Sequence, residues 1–165
     1  MKRSAFALLL VLFCIQLNNA QQIVTGLSGG LPLGEASDAS KFAINVDVGY
    51  LWDISEVVKM GAATGYSHSF GDTQTVNGFT VDANDFQYIP LAAALRVGIV
   101  DRFILGADVG YGIGISEDND GGFYFSPRVH YKIFNPVDLV LTFRRLSTGG
   151  GSWDIISLGL EFYIY

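Results

Sequence analysis

The segment from Lys41 to Trp52 limits the fold more than any other part of the chain, because its side chains alternate strictly in character. One face is apolar or aromatic: Phe42, Ile44, Val46, Val48, Tyr50 and Trp52. The other face is small or polar except for one leucine: Ala43, Asn45, Asp47, Gly49 and Leu51. A period of two over a dozen residues predicts a β-strand with two unlike faces.

The same alternation returns along the chain and predicts eight strands. We place them at residues 23–33, 41–52, 57–69, 86–97, 102–115, 122–134, 137–146 and 153–165. The links after strands two, four and six are short, whereas those after strands one, three, five and seven are longer and carry most of the loop acids. Short periplasmic turns opposite longer outer loops are typical of an outer-membrane barrel. The pattern therefore predicts an all-β fold, an eight-stranded antiparallel up-and-down transmembrane β-barrel, with both chain ends on the periplasmic side.

The amino terminus has the composition of a secretory signal peptide. Lys2 and Arg3 precede an uncharged run that ends at Ile15, and Ala20 offers a cleavage site. We therefore predict a signal peptide at residues 1–20 and a barrel domain at residues 21–165. The only cysteine, Cys14, falls inside the signal and follows Phe13, which argues against a lipid anchor and leaves the mature chain without a thiol.

Net charge excludes one class of partner. Removing Lys2 and Arg3 from the 10 basic residues leaves 8 against 16 acidic ones. A nucleic-acid-binding protein needs a basic surface for the phosphate backbone, so we expect no nucleic-acid partner.

Alternation alone does not decide which face lies inside, since a soluble lipocalin-like barrel or a sandwich turns its apolar face inward. The small face here is rich in glycine and alanine, as at Gly106, Gly110 and Gly112, and glycine is otherwise depleted in strands. A narrow, crowded lumen explains these residues, whereas solvent does not. We therefore predict that the apolar face contacts lipid, and that a soluble ligand-binding barrel is the alternative.

Aromatic residues on the apolar face cluster near strand ends, which predicts two membrane-interface girdles. The predicted girdle residues are Tyr50, Trp52, Phe103 and Tyr131 at one end and Tyr66, Phe70, Phe123 and Phe125 at the other.

The chain resembles the small porin-like outer-membrane β-barrel proteins of Gram-negative bacteria. The resemblance rests on Ala20-Gln21 at the end of the signal, the repeated Gly-Tyr pairs such as Gly49-Tyr50, the Pro127-Arg128-x-x-Tyr131-Lys132 strand and the aromatic carboxyl terminus. It implies location in the outer membrane, contact with its lipid and lipopolysaccharide, and insertion by the barrel assembly machinery. This family includes structural, adhesive and narrow-channel proteins. One departure is that Tyr165 lies one position out of phase with the lipid face.

The predicted lumen face carries ten ionisable side chains, which must be paired if the lumen is dry. They are Asp47, Lys59, Arg96, Asp108, Arg128, His130, Lys132, Asp138, Arg144 and Glu161. Counting from the turns places Lys132 opposite Asp138, and Asp108 beside Arg128 and His130. We expect a monomeric structural or adhesive barrel, or a narrow pore, whose lumen is filled by ion pairs. The alternative is an open, basic-lined porin for small solutes.

We expect no enzyme, metal or cofactor. His68 falls on the lipid face while Ser67 and Ser69 face the lumen, and no acid in the same strand orients the imidazole as a catalytic triad requires. Asp118-x-Asp120-Gly121 is only a fragment of a calcium loop. Phe79 and Trp153, near outer loops, are candidates for adhesion or for the membrane interface. The remaining loop acids are expected to form a solvated rim: Glu35, Asp38, Asp72, Asp82, Asp85 and Glu117.

Overall fold

A computed structural model describes residues 21–76, 79–82, 84–116 and 119–164, without the side chains of 73–76 and 79–82. The predicted signal peptide and Tyr165 therefore lie outside the described residues. The strands are β1 Gln21–Leu33, β2 Ser40–Asp53, β3 Val58–Gly71, β4 Thr73–Val76, β5 Phe79–Asp82, β6 Phe86–Val100, β7 Phe103–Gly114, β8 Gly122–Phe134, β9 Val137–Thr148 and β10 Gly151–Ile164, with one short helix, α1, at Glu35–Ala39.

Eight of these strands close an antiparallel barrel in the order β1-β10-β9-β8-β7-β6-β3-β2, so the predicted fold is confirmed. Except where β1 meets β10, strands adjacent in the barrel are joined by a single link. Gln21 and Ile164 lie at the same end as the short turns at 54–57, 101–102 and 135–136. We call this the periplasmic end, because short turns mark that side of an outer-membrane barrel. No helix in the described ranges has the length and apolarity of a membrane span.

Apolar side chains point away from the barrel axis. Val46, Leu105 and Leu141, on three different strands, are 42%, 48% and 47% exposed, while Asn45, Asp108 and Thr142 are buried inside. A soluble barrel would bury the first group and expose the second. The soluble lipocalin-like alternative is therefore not favoured.

Glycines on the inner face serve two purposes, of which sequence reasoning found one. A Cβ on Gly106 would lie 2.7 Å from Arg96 Cδ and 3.0 Å from Arg128 Cγ, so this glycine makes room for lumen side chains as expected. A Cβ on Gly61 would instead overlap the backbone carbonyl of Tyr50 on the next strand. In such a small barrel the strands curve tightly, and glycine permits this close backbone approach.

Three outer links differ from the sequence prediction. The polar segment after β1 contains α1, and the predicted long loop at 71–85 contains the β4–β5 hairpin, which pairs only with itself. The predicted Gly-rich loop at 147–152 is mostly strand, with a two-residue turn at Gly149 and Gly150. The prediction of a loop was wrong here. Ser147 pairs with Ser152 and Thr148 with Gly151, so the β9–β10 ladder continues through residues of low β-propensity.

Candidate functional site

The centre of the lumen holds three arginines and three carboxylates, which we name the central ion-pair network: Asp47, Arg96, Asp108, Arg128, Arg144 and Glu161. Asp108 on β7 lies between two of the arginines. Its Oδ1 accepts a hydrogen bond from Arg96 Nη1 at 2.6 Å, and its Oδ2 accepts one from Arg128 Nη2. Arg128 Nη1 then donates to Glu161 Oε2 at 3.2 Å. These four side chains are at most 5% exposed and lie on β6, β7, β8 and β10, so the contacts link strands along one side of the lumen.

The second part of the network spans the lumen between β9 and β2, which are separated in the barrel by β10 and β1. Arg144 on β9 binds Asp47 on β2 through two parallel hydrogen bonds of 2.9 and 2.6 Å. Arg144 Nη1 also donates to the hydroxyl of Tyr124 at 3.2 Å. A bidentate arginine–carboxylate pair is the strongest and most directional ion pair in proteins. Equal numbers of cations and anions leave this part of the lumen neutral.

His130 lies elsewhere than the sequence indicated. We expected it beside Asp108, but its Nδ1 lies 3.6 Å from Glu161 Oε1 and 3.9 Å from Asp138 Oδ2, and 3.4 Å from the hydroxyl of Tyr163. In the β7–β8 register Asp108 is paired with Ser126, four residues from His130 along β8. His130 is fully buried, and its Nε2 has no hydrogen-bond partner in the described part of the chain.

The two lumen lysines lie at the periplasmic end rather than in the network. Lys59 Nζ binds Asp53 at 2.7 Å and donates to Gln22 at 2.9 Å. Lys132 is paired with Asp138 in the β8–β9 register, as counted from the turn, yet no ion pair involving it occurs within the described residues. Lys59 is half-buried and Lys132 is exposed, as expected at the open end of the lumen.

Two adjoining cavities of about 290 and 340 Å³ form a periplasmic vestibule; both are lined by Lys59, Ile104, Lys132 and Tyr163. At the level of the network the cavity that adjoins Asp47, Arg96, Arg128 and Glu161 measures only about 10 Å³. That is roughly the space of one water molecule. The lumen therefore narrows sharply from the vestibule to the network.

Aromatic residues cover the outer side of the network, and of these sequence reasoning had singled out only Trp153. Tyr88 and Tyr124 are buried with ring centroids 6.0 Å apart and pack with Leu146. Above them, the Trp153 ring stacks on Phe86 at 4.0 Å, and its Nε1 donates to Ser69 Oγ at 3.0 Å. Trp153 is thus a lumen residue and neither an interface nor a free adhesive group. The sequence could have shown this, because Trp153 lies two and four residues before Ile155 and Ser157 on β10 and therefore shares their inner face.

The eight predicted girdle residues lie near the two ends of the barrel. Near the periplasmic end, Tyr50 and Trp52 form an edge-to-face pair with ring centroids 5.0 Å apart, and Phe103 and Tyr131 form a tilted pair at 5.1 Å. Towards the outer end, Tyr66, Phe70, Phe123 and Phe125 are each more than a third exposed. Their role as membrane girdles stays a prediction.

His68 belongs to a hydrogen-bonded group on the outside of the barrel, which we name the outer-rim cluster: Tyr66, His68, Asp85 and Gln87. As expected, Ser67 and Ser69 are buried on the lumen side. The sequence showed no acid on the same strand, but Asp85, just before β6, places its Oδ2 3.2 Å from His68 Nε2. Neither serine reaches this imidazole from the opposite face, so no Ser-His-Asp arrangement forms here.

Within the described residues, no group of three or more histidine, cysteine, aspartate or glutamate side chains could hold a metal ion. Asp118 and Glu117 lie outside those residues, and the side chains of Phe79 and Asp82 are not described. Asp72 binds Lys41 at 2.6 Å.

Comparisons with known proteins agree with this geometry. The family model described as outer membrane protein beta-barrel domain matches residues 5–163. Ail of Yersinia pestis, solved in a phospholipid nanodisc, is 11% identical and superposes with a TM-score of 0.61 over 88% of this chain and 100% of its own. Ail in complex with the heparin analogue sucrose octasulfate is 14% identical, with a TM-score of 0.53 over 88% of this chain and 97% of its own. A de novo designed transmembrane β-barrel is 9% identical, with a TM-score of 0.56 over 89% of this chain and 98% of the design. Comparison with the curated proteins finds no significant match.

The structural likenesses establish the fold alone, since their sequence identities are low. The family match shows which family the chain belongs to, because it covers nearly the whole chain and includes residues of every strand of the barrel. The closed barrel, its outward apolar side chains and its buried charges have the arrangement that the family requires in lipid. The chain is a member of the outer-membrane protein β-barrel domain family, located in the outer membrane.

Proposed function

We propose that this protein is a closed barrel that holds its outer loops at the cell surface, with a structural or adhesive role. The observation that carries the proposal is the central ion-pair network. Its six side chains come from β2, β6, β7, β8, β9 and β10, and they leave a cavity of about 10 Å³ at their level. A hydrated solute would have to break buried ion pairs to pass, and removing one partner from such a pair costs about 3–5 kcal/mol.

Conductance of the refolded protein in a planar lipid bilayer tests this proposal. We expect no steady conductance from the wild-type barrel, and discrete openings from the double variant Arg96→Ala/Arg128→Ala, which removes two large side chains from the narrowest level. Lys59→Ala is the matched control, because Lys59 lies in the vestibule and pairs at the rim. Its traces should resemble those of the wild type. A shift in gel mobility between unboiled and boiled samples shows that each variant is folded, and steady wild-type conductance would contradict the proposal.

The vestibule favours a second candidate, a narrow pore for small solutes. Its two cavities of about 290 and 340 Å³ lie at the periplasmic end of the lumen, and Lys59 and Lys132 give their walls basic groups. This candidate predicts wild-type conductance that changes when either lysine is replaced. If the barrel is closed, the wild type does not conduct, and replacing either lysine leaves it without conductance.

Charge at the outer end narrows the adhesive role. Ail is an attachment protein, and one of its structures holds a sulfated heparin analogue, which is a polyanion. The outer links of this chain carry acids such as Glu35, Asp38 and Asp120, so repulsion opposes the same ligand here. We therefore propose that the adhesive partner is cationic or neutral.

We also propose that the protein is a monomer without a catalytic role. The barrel assembly machinery would insert it, and its outer face would contact lipopolysaccharide.

A further inference from the structure

Arg102 differs from the other arginines that the structure describes, because it has no carboxylate partner among the described residues. The others each bind an aspartate or a glutamate: Arg96, Arg128, Arg144 and Arg145. Arg102 is exposed in the turn between β6 and β7 at the periplasmic end, and its Nη1 donates to the hydroxyl of Tyr131 at 3.4 Å. The described part of the chain therefore leaves the charge of this one guanidinium group without a counter-ion.

The guanidinium group of Arg102 lies beside the outer face of the barrel. Its partner Tyr131 is paired with Phe103 in the β7–β8 register, and the two rings form the tilted pair described above. The next pair on this face is Leu105 and Val129, which are 48% and 38% exposed. Arg102 is therefore located where the apolar outer face reaches the periplasmic end, the level at which aromatic belts meet lipid headgroups.

The neighbouring charged side chains belong to the vestibule and do not neutralise Arg102. Asp101 and Glu56 line one of its two cavities, and Lys132 lines both. Asp53 is bound to the ammonium of Lys59 at 2.7 Å. An anion that approaches along the outer face therefore meets the positive charge of Arg102 with no described carboxylate bound to it.

Two different hydrogen-bond donors are available at this position. A guanidinium group can only donate, so the hydroxyl of Tyr131 accepts from Arg102, and the proton of that hydroxyl has no acceptor among the described residues. Arg102 uses one of its N–H groups in this bond, and its other N–H groups have no partner within the same part of the chain. The backbone is fixed, because the carbonyl of Arg102 accepts the N–H of Lys132 at 2.9 Å. The turn thus holds a planar cationic donor beside a phenolic donor.

We propose that Arg102 and Tyr131 bind the phosphodiester group of a glycerophospholipid in the periplasmic leaflet. The arginine donates two parallel N–H bonds to the phosphate oxygens, and the Tyr131 hydroxyl donates to one of them. The acyl chains lie along Leu105 and Val129, which continue the same face towards the middle of the barrel. A free phosphate ion would gain the polar contacts alone, whereas a lipid gains both sets of contacts. The proposal does not depend on whether the lumen conducts.

An NMR titration of the refolded barrel in uncharged maltoside micelles with phosphatidylglycerol tests the site. We expect saturable shifts of the backbone amides of Phe103 and Lys132, while amides in the middle of β8 stay unchanged. Arg102→Gln should weaken the binding about fivefold, the contribution of one basic residue near a membrane surface. Tyr131→Phe keeps the ring but loses the hydroxyl, and should weaken binding about two- to tenfold. Unchanged affinity in the folded Arg102→Gln variant would overturn the proposal.

Two control variants separate this site from other basic groups. Arg145→Gln removes an arginine that is already bound to Asp154 by two hydrogen bonds, of 2.8 and 2.6 Å. Lys132→Gln removes a cation of the vestibule. Both should retain the wild-type affinity, and loss of binding in Lys132→Gln would place the lipid in the vestibule and overturn the proposal.

Two control ligands separate the lipid from its parts. Diacylglycerol has the acyl chains without the phosphodiester, and inorganic phosphate has the anion without the chains. Neither should produce the saturable shifts at Phe103 and Lys132. Saturation by diacylglycerol would show an apolar contact alone, and saturation by inorganic phosphate would show a site for free anions. Either result would overturn the proposal. The gel mobility of unboiled samples shows that each variant is folded.

Discussion

At the residue scale, the position of Gly106 between two arginines shows how space and charge are settled together in the lumen. The side chains of Arg96 and Arg128 both occupy the volume that a Cβ at this position would fill. Only with a hydrogen there can both guanidinium groups reach Asp108. The glycine is therefore part of the ion-pair network although it carries no charge.

Gly106→Ala should lower stability by about 1–3 kcal/mol, because overpacking forces the arginines away from Asp108. The control is Gly49→Ala, also on the inner face, where a Cβ would lie 3.7 Å from its nearest neighbours, an ordinary contact. Urea unfolding in detergent, followed by the loss of the folded gel band, measures both. Equal midpoints for the two variants would show that the arginines do not need this space.

Asp108 contributes through the charges that it neutralises. Asp108→Asn should lower the free energy of unfolding by about 3–5 kcal/mol, because it leaves two buried guanidinium groups without a carboxylate between them. Asp53→Asn removes the acid from the exposed pair with Lys59 and should cost about 0–1 kcal/mol. The same urea titration compares the two variants. A small effect at Asp108 would mean that water reaches the network and screens it.

At the element scale, the sequence predicted what depends on side-chain period and tight turns. The alternation separated the two faces of each strand, the glycine-rich small face showed which of them is the inner one, and the short turn gave the pairing of Lys132 with Asp138. It did not predict contacts across the lumen. Arg144 and Asp47 lie 97 residues apart, and their contact depends on barrel diameter and strand stagger, which no local pattern encodes. The β4–β5 hairpin was missed because its segments have only four residues each.

Replacing residues 73–82 with a short Gly-Ser linker should leave the barrel folded, because β4 and β5 pair only with each other. Loop tips that carry no barrel hydrogen bonds tolerate such changes. Gly71 and Asp85 are kept so that their contact is unaffected. Gel mobility of unboiled protein measures the result, and the matched control is removal of an equally long stretch from β9, which should abolish the folded band. Loss of the folded band in the hairpin variant would assign the hairpin a role in barrel stability.

At the scale of the whole molecule, one reversal explains both surfaces of the barrel. In a soluble protein the apolar side chains gather inside and the charges face water. Here the charges gather inside, neutralise one another and bind the strands across the lumen, while the apolar side chains face lipid. Such an arrangement is stable only where the surroundings are apolar, because water would neither favour the outer face nor leave the ion pairs undisturbed.

Two substitutions of equal exposure test this dependence on the bilayer. Leu158 near the middle of β10 and Ile164 at its periplasmic end are each 54% exposed on the outer face. In lipid, Leu158→Arg places a charge near the midplane and should lower stability by about 2–4 kcal/mol, whereas Ile164→Arg lies near the interface and should cost about 0–1 kcal/mol. Unfolding in phospholipid vesicles by denaturant measures both. In water an exposed arginine is tolerated equally at the two positions, so a difference between them requires a medium that changes with depth, and equal costs would contradict the assignment of this face to lipid.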